Sequence, residues 1–165
     1  MKCRRTLVKM RLGLFAFLGT ALIVMLLDQA SKLYIIWNFN PGDSVSLVPG
    51  VFHLTYVRNP GAAFGILAHK TTFFIVISAI MILLIFFGRR FFSTRRIGIH
   101  LAFALQMGGA LGNLIDRVRF GYVIDFLDFQ VWPVFNIADV AIVAGMILLL
   151  FNLAREASFF QDQKG

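Results

Sequence analysis

The stretch TTFFIVISAIMILLIFFGRRFFSTRR, Thr71–Arg96, decides the fold class. Its first eighteen residues, Thr71–Gly88, carry no charge, and the next eight hold four arginines. About 20 mostly apolar residues let an α-helix cross the hydrocarbon core of a bilayer. Lys and Arg collect on the cytoplasmic side of such spans. The stretch therefore predicts one transmembrane helix and the side on which it ends.

Working outward, three more runs have the same character. Leu12–Leu27 is uncharged and follows the basic opening MKCRRTLVKMR. Its basic and apolar regions resemble a secretory signal, but no small-residue cleavage site follows and DQASK at Asp28 is a poor one. An uncleaved first span over about Leu12–Ser31 is predicted, with others over about Ile97–Ile115 and Val134–Ala154. With an even number of spans the basic N-terminus and the arginine loop share one side, as the charge bias requires. The loops 37–70 and 116–133 then face outward. The expectation is an all-α membrane protein of four transmembrane helices, residues 1–165 forming one integral membrane unit. In the first outer loop Val51–Val57 (VFHLTYV) is β-prone, and NPGD and NPG at Asn40 and Asn59 are turn chemistry. They predict a small extracytoplasmic β-sheet resting on the helices.

Composition agrees. The chain of 165 residues is 59% hydrophobic with a net charge of +8, and its mean hydropathy is +0.80. Soluble domains are nearer half apolar. The basic residues flank apolar runs, so the charge reads as membrane sidedness rather than nucleic-acid binding. Cys3 is the single cysteine, so no internal disulfide is expected. It precedes the first apolar run, so it is not a lipidated cysteine after a signal peptide.

The polar residues near the spans fall at one depth. Asp28 and Lys32 end span one. Asn113, Asp116 and Arg117 end span three. Asp125 lies in the following loop, and Asn136 and Asp139 lie at the start of span four, Asp139 about five residues inside it. Ionisable groups at membrane depth normally face a bundle interior and mark function. Duller readings stand beside this one. Asp28 and Lys32, four apart, form a charge pair on one helix face. Arg117 is a carboxylate clamp. Gly108 and Gly112 form a GxxxG packing stripe. Asp125 and Asp139 have no cation at helical spacing and resist such a reading. Two carboxyls sharing one proton can activate water and protonate a carbonyl oxygen, as in aspartic proteases. Other hydrolytic designs fail. His53, His69 and His100 are isolated and no HExxH occurs, no GxSxG occurs, and Ser31 and Lys32 point apart on a helix.

Five stretches, DQASK at Asp28, RNPGAAFG at Arg58, GGALGNLIDR at Gly108, GYVIDF at Gly121 and FNIADVAI at Phe135, together resemble the lipoprotein signal peptidases (signal peptidase II) of bacteria. The resemblance covers most of the chain in family order. It implies a membrane aspartic endopeptidase that removes the signal peptide from diacylglyceryl-modified prolipoproteins, cutting before the lipidated cysteine. It implies Asp125 and Asp139 as the catalytic pair. Asp28, Lys32, Asn59, Gly109, Asn113, Arg117, Asn136 and Ala138 would line or support the site. It implies no metal or cofactor, prolipoprotein substrates, surrounding membrane lipids and a monomer. The expected location is the bacterial inner membrane, with both termini cytoplasmic and the site near the outer face. Which aspartate starts protonated is left open, and the loop between the two is read as variable, a lid being one role.

A transporter is the competing class. It should place polar groups at several depths, yet only Gln106 and Asn152 lie deeper in the cytoplasmic half. A scaffold without chemistry is the third reading and leaves the two aspartates unexplained.

Overall fold

The computed structural model describes residues 2–61, 71–92 and 97–162, with side chains described for 13–61, 71–92 and 97–155. His69, Arg95, Arg96 and residues 62–65 of the RNPGAAFG stretch lie outside the described residues, as does the side chain of Cys3. The elements in chain order are α1 (Lys2–Asn38), β1 (Ser44–Val48), β2 (Phe52–Asn59), α2 (Thr71–Gly88), α3 (Ile97–Phe120), β3 (Val123–Asp128) and α4 (Ile137–Asp162). A 3-10 turn, Arg89–Phe91, closes α2. Four helices among the described residues are long and apolar enough to span a bilayer, over Gly13–Asn38, Thr71–Phe91, Ile97–Phe120 and Ile137–Arg155.

The four spans differ in apolarity because they meet different surroundings. α3 packs against α1, α2 and α4. It is the most buried span and has the lowest mean hydropathy, 1.2, against 2.6 for the peripheral span of α2. A helix surrounded by protein can carry polar groups that a lipid-facing helix cannot. Small residues let the axes approach. A Cβ on Gly108 would lie 2.6 Å from the Ala21 carbonyl of α1, and one on Gly109 would collide with the Ala138 carbonyl of α4. The GxxxG stripe thus serves α1 with Gly108 and Gly112, while Gly109 faces α4. Phe17, Ala21, Ile85, Ile99, Phe103, Ala104 and Met107 form the core between α1, α2 and α3.

The sheet is antiparallel, in the order β1-β2-β3. Ile35 of α1 joins Tyr56, Ile124 and Phe126 in a second core beneath it. This explains why α1 continues past the predicted end at Ser31 to Asn38. Its last turns bury an apolar side chain against the sheet. α4 starts at Ile137 rather than Val134. Pro133 offers no N–H, and Phe135 is held by the sheet, donating to Leu127 O at 3.0 Å and accepting from Leu127 N at 2.8 Å. Two expectations change as a result. Asp125 lies on β3, not in a loop, and Asp139 lies in the first turn of α4, not five residues deep.

Candidate functional site

The start of α4 builds the site. Asn136 precedes the helix and accepts from Asp139 N through its side-chain oxygen at 2.9 Å, while its own N–H donates to Asp139 Oδ2 at 3.2 Å. This is a capping box, in which each residue satisfies the other's backbone donor. The helix N-terminus also favours a carboxylate there. The N–H of Ala138 is satisfied across the bundle by Asp28 Oδ1 at 2.9 Å. The first turn of α4 is therefore capped both by its own sequence and by α1.

β3 brings in the second carboxylate. Val57 pairs with Asp125 and Asn59 with Val123, which sets Asn59 diagonally across from Asp125 on one face. Asn59 Nδ2 donates to Asp125 Oδ2 at 2.8 Å, and Asn136 Nδ2 donates to Asp125 Oδ1 at 2.6 Å. Asn59 is itself held by Gly61 N, which donates to its oxygen at 2.9 Å. Asp125 is buried, 2% exposed, whereas Asp139 is half-buried. Burial pushes the Asp125 carboxyl up to about 6, opposed by the two asparagine donors and aided by the Asp139 charge. The Asp139 carboxylate accepts from Asn113 Nδ2 at 2.8 Å.

Beneath the pair lies a second polar layer. The Lys32 ammonium sits 2.8 Å from both Asp28 Oδ2 and Asp116 Oδ2 and donates to Asn113 Oδ1 at 3.0 Å. Asp28, Lys32 and Asp116 are each at most 1% exposed. These acceptors satisfy the donors of the ammonium, and buried charges persist only when partnered in this way. The Asp28–Lys32 pair is thus both the helix-face charge pair and a support of the site. Gly112 leaves room for Asp28, since a Cβ there would collide with its carboxylate.

Asn59, Asn113 and Asn136 hydrogen-bond the two aspartates directly, Lys32 reaches Asp139 through Asn113, Asp28 binds Lys32 and the N–H of Ala138 beside Asp139, and Gly109 permits the helix approach. Arg117 differs from its clamp reading. It donates weakly to Asn113 O at 3.4 Å, stacks over Phe74 at 5.4 Å, and reaches no carboxylate at ion-pair distance among the described residues. Two further residues support the site without belonging to the set that the resemblance implies. Asp116 accepts from Gln29 Nε2 at 2.9 Å and from Ile124 N at 3.2 Å, so it ties α1 and α3 to the strand beside Asp125. Gln29 also donates to Gly112 O at 3.1 Å. The signal for Gln29 is its place in DQASK, between Asp28 and Lys32. No group of three or more metal-binding side chains occurs among the described residues.

The family model for Signal peptidase (SPase) II, Peptidase_A8, matches residues 20–155. The chain belongs to the signal peptidase II family. It is 52% identical over 137 residues to the lipoprotein signal peptidase of Moorella thermoacetica, covering 83% of this chain and 91% of that one. It is 51% identical over 135 residues to the lipoprotein signal peptidase of Halothermothrix orenii, covering 80% and 90%. A solved bacterial membrane enzyme structure, determined by the in meso method at 2.3 Å resolution, matches with a TM-score of 0.81 at 35% identity, over 87% of this chain and 90% of that one. Family membership makes the chain a multi-pass membrane peptidase of the aspartic class. The polar cluster described above lies within the matched residues.

Proposed function

We propose that Asp125 and Asp139 are the catalytic carboxyls of a peptidase that removes signal peptides from prolipoproteins. The observation that carries the assignment is their shared partner. Asn136 binds Asp125 through its side chain and Asp139 through its backbone N–H. One residue thereby fixes both carboxyls, and neither forms an ion pair with Lys32, which is engaged by Asp28 and Asp116. Both stay available for proton transfer.

Asp125, buried and with its carboxyl pushed up to about 6, is the partner that carries the proton. Asp139, in the first turn of α4, is the base that takes the proton from water. Water activated by Asp139 attacks the scissile carbonyl carbon while Asp125 donates its proton to the carbonyl oxygen. The tetrahedral intermediate collapses by breaking the C–N bond: the proton held by Asp139 passes to the leaving amine, and a hydroxyl of the intermediate returns its proton to Asp125, which restores the starting pair. Asn59 and Asn113 hold the carboxyls in register. The substrate is a diacylglyceryl-modified prolipoprotein cut before its lipidated cysteine. Its own apolar segment brings the bond to the membrane surface where the pair lies. The proposed placement is the inner membrane, with both termini cytoplasmic and the pair near the outer face. One copy carries both aspartates, so a monomer suffices.

The test is cleavage of a diacylglyceryl-modified prolipoprotein by the purified protein in lipid, with Asp125→Asn and Asp139→Asn beside it. Cleavage by the parent and near-complete loss in both folded variants is expected. Retained cleavage in either variant removes that aspartate from the reaction.

A further inference from the structure

The chain between the two aspartates holds an apolar surface that the proposed chemistry does not use. It turns at Gln130, which adopts φ 63°. The turn is braced from inside. Asp128 accepts from Gln130 N at 2.8 Å, from Gln130 Nε2 at 2.7 Å and from Thr55 Oγ1 at 2.7 Å. On the outside, Val131 is 91% and Trp132 70% exposed. The Phe129 ring packs on Phe52 at 4.8 Å, which joins the turn to the tip of the β1–β2 hairpin, where Val48 and Val51 are also exposed. Neither Ser44–Leu54 nor Phe129–Phe135 contains an Asp, Glu, Lys or Arg.

A contiguous exposed apolar patch of this kind marks a partner protein or a membrane. Continuity selects the membrane. Trp132 stands five residues before Ile137, where the apolar span of α4 begins. At ~3.6 Å per extended residue it lies within about 18 Å of that point. Tryptophan gathers at the lipid–water interface, where its ring meets apolar chains and its N–H meets water. The rim offers no cation for a particular headgroup, so general phospholipid interface is the partner its chemistry fits.

We propose that Val48, Val51, Phe52, Phe129, Val131 and Trp132 form a rim that seats in the lipid–water interface on the side of the carboxyl pair, fixing the depth of that pair against the bilayer. The proposal does not depend on the proposed reaction.

The chain's two tryptophans, Trp37 and Trp132, make the test direct. Trp37→Phe leaves Trp132 as the sole reporter, and the protein is reconstituted without substrate in phosphatidylcholine vesicles. Lipid brominated near the headgroup should reduce Trp132 emission about twofold, as expected for an interfacial indole, and aqueous iodide should reduce it far less. Adding Val131→Asp should weaken lipid quenching and strengthen iodide quenching. Strong iodide quenching with no lipid quenching in the Trp37→Phe protein overturns the proposal. So does lipid quenching that appears only after a lipidated peptide is added, which would assign the rim to substrate. Should the Val131→Asp protein not fold, the Trp37→Phe measurement decides alone.

Discussion

Asn136 donates its side-chain N–H to Asp125 at 2.6 Å, the shortest of the hydrogen bonds that hold the two aspartates. The same residue caps α4 and so positions Asp139. Replacing it with alanine should cost activity out of proportion to stability. Asp125 reacts from its protonated form, so this bond joins neutral groups and is worth ~0.5–1.5 kcal/mol, about 2- to 10-fold in rate. A further readout separates positioning from simple damage. Asn136 opposes the upward push on the Asp125 carboxyl, so its loss should move the alkaline limb of kcat/KM to higher pH. A drop in rate with an unmoved limb would leave Asn136 a purely structural cap.

The Asp125 carboxyl links activity and stability to pH. Its value rises from the ordinary 3.8 to about 6 because burial penalises the charged form. If Asp125 is the proton donor, kcat/KM should fall as pH rises through about 6, or somewhat higher once substrate excludes more water. The stability sign follows from proton binding. The folded state holds this proton more tightly than the unfolded chain, so its contribution is fully present below 3.8 and is lost as pH rises through about 6. The gap corresponds to roughly 3 kcal/mol as an upper figure. Denaturation of the parent in detergent should show this decline between about pH 4 and 6, and Asp125→Asn should flatten it. Equal slopes for the two proteins would refute the raised value.

Much of the fold and of the site is legible in the sequence, and the exceptions have physical causes. Apolar runs reveal spans because lipid imposes a single requirement on them. The β-prone character of Val51–Val57 reveals β2 for its own local reason. β3 is hidden because VIDFLD places two aspartates in a strand, against intrinsic preference. Its pairing is set by β2, by the Phe135 bridge and by Asp116 binding Ile124 N. Asp125 and Asp139 stand out because they have no cation at helical spacing. Lys32 bridging to Asp116 does not, because the pairing joins α1 to α3 and helical spacing is silent on contacts between helices.

The approach of α1 to α3 can be tested at a single atom. A Cβ at Gly112 would meet the Asp28 carboxylate, whereas one at Gly19 would meet nothing within 4 Å. Gly112→Ala should therefore destabilise the protein by ~1–3 kcal/mol, the usual range for overpacking. Gly19→Ala should be neutral or slightly stabilising, since alanine is the better helix former. Thermal denaturation in detergent reads both. Gly112→Ala should also lower cleavage, because displacing Asp28 loosens the Ala138 cap at the mouth of α4. Equal melting temperatures for the two variants would mean that the helices can part there without cost.

Lys32 offers the sharpest test of the lower polar layer. Its ammonium is shared by Asp28 and Asp116, all three side chains being buried. Lys32→Met keeps the length of the stem and removes the charge, leaving two carboxylates facing each other away from water. Stranding a buried charge costs ~3–5 kcal/mol. The variant should therefore lose that much stability at neutral pH. Asn113 loses a donor in the same change, so its grip on Asp139 slackens and cleavage should fall further than stability predicts. Removing one carboxylate with Asp116→Asn in the Lys32→Met background brings the net charge of the three positions back to the parent's −1 and should return part of the stability without restoring full activity. A Lys32→Met protein as stable at neutral pH as the parent would show that water reaches this layer and that its charges are not desolvated.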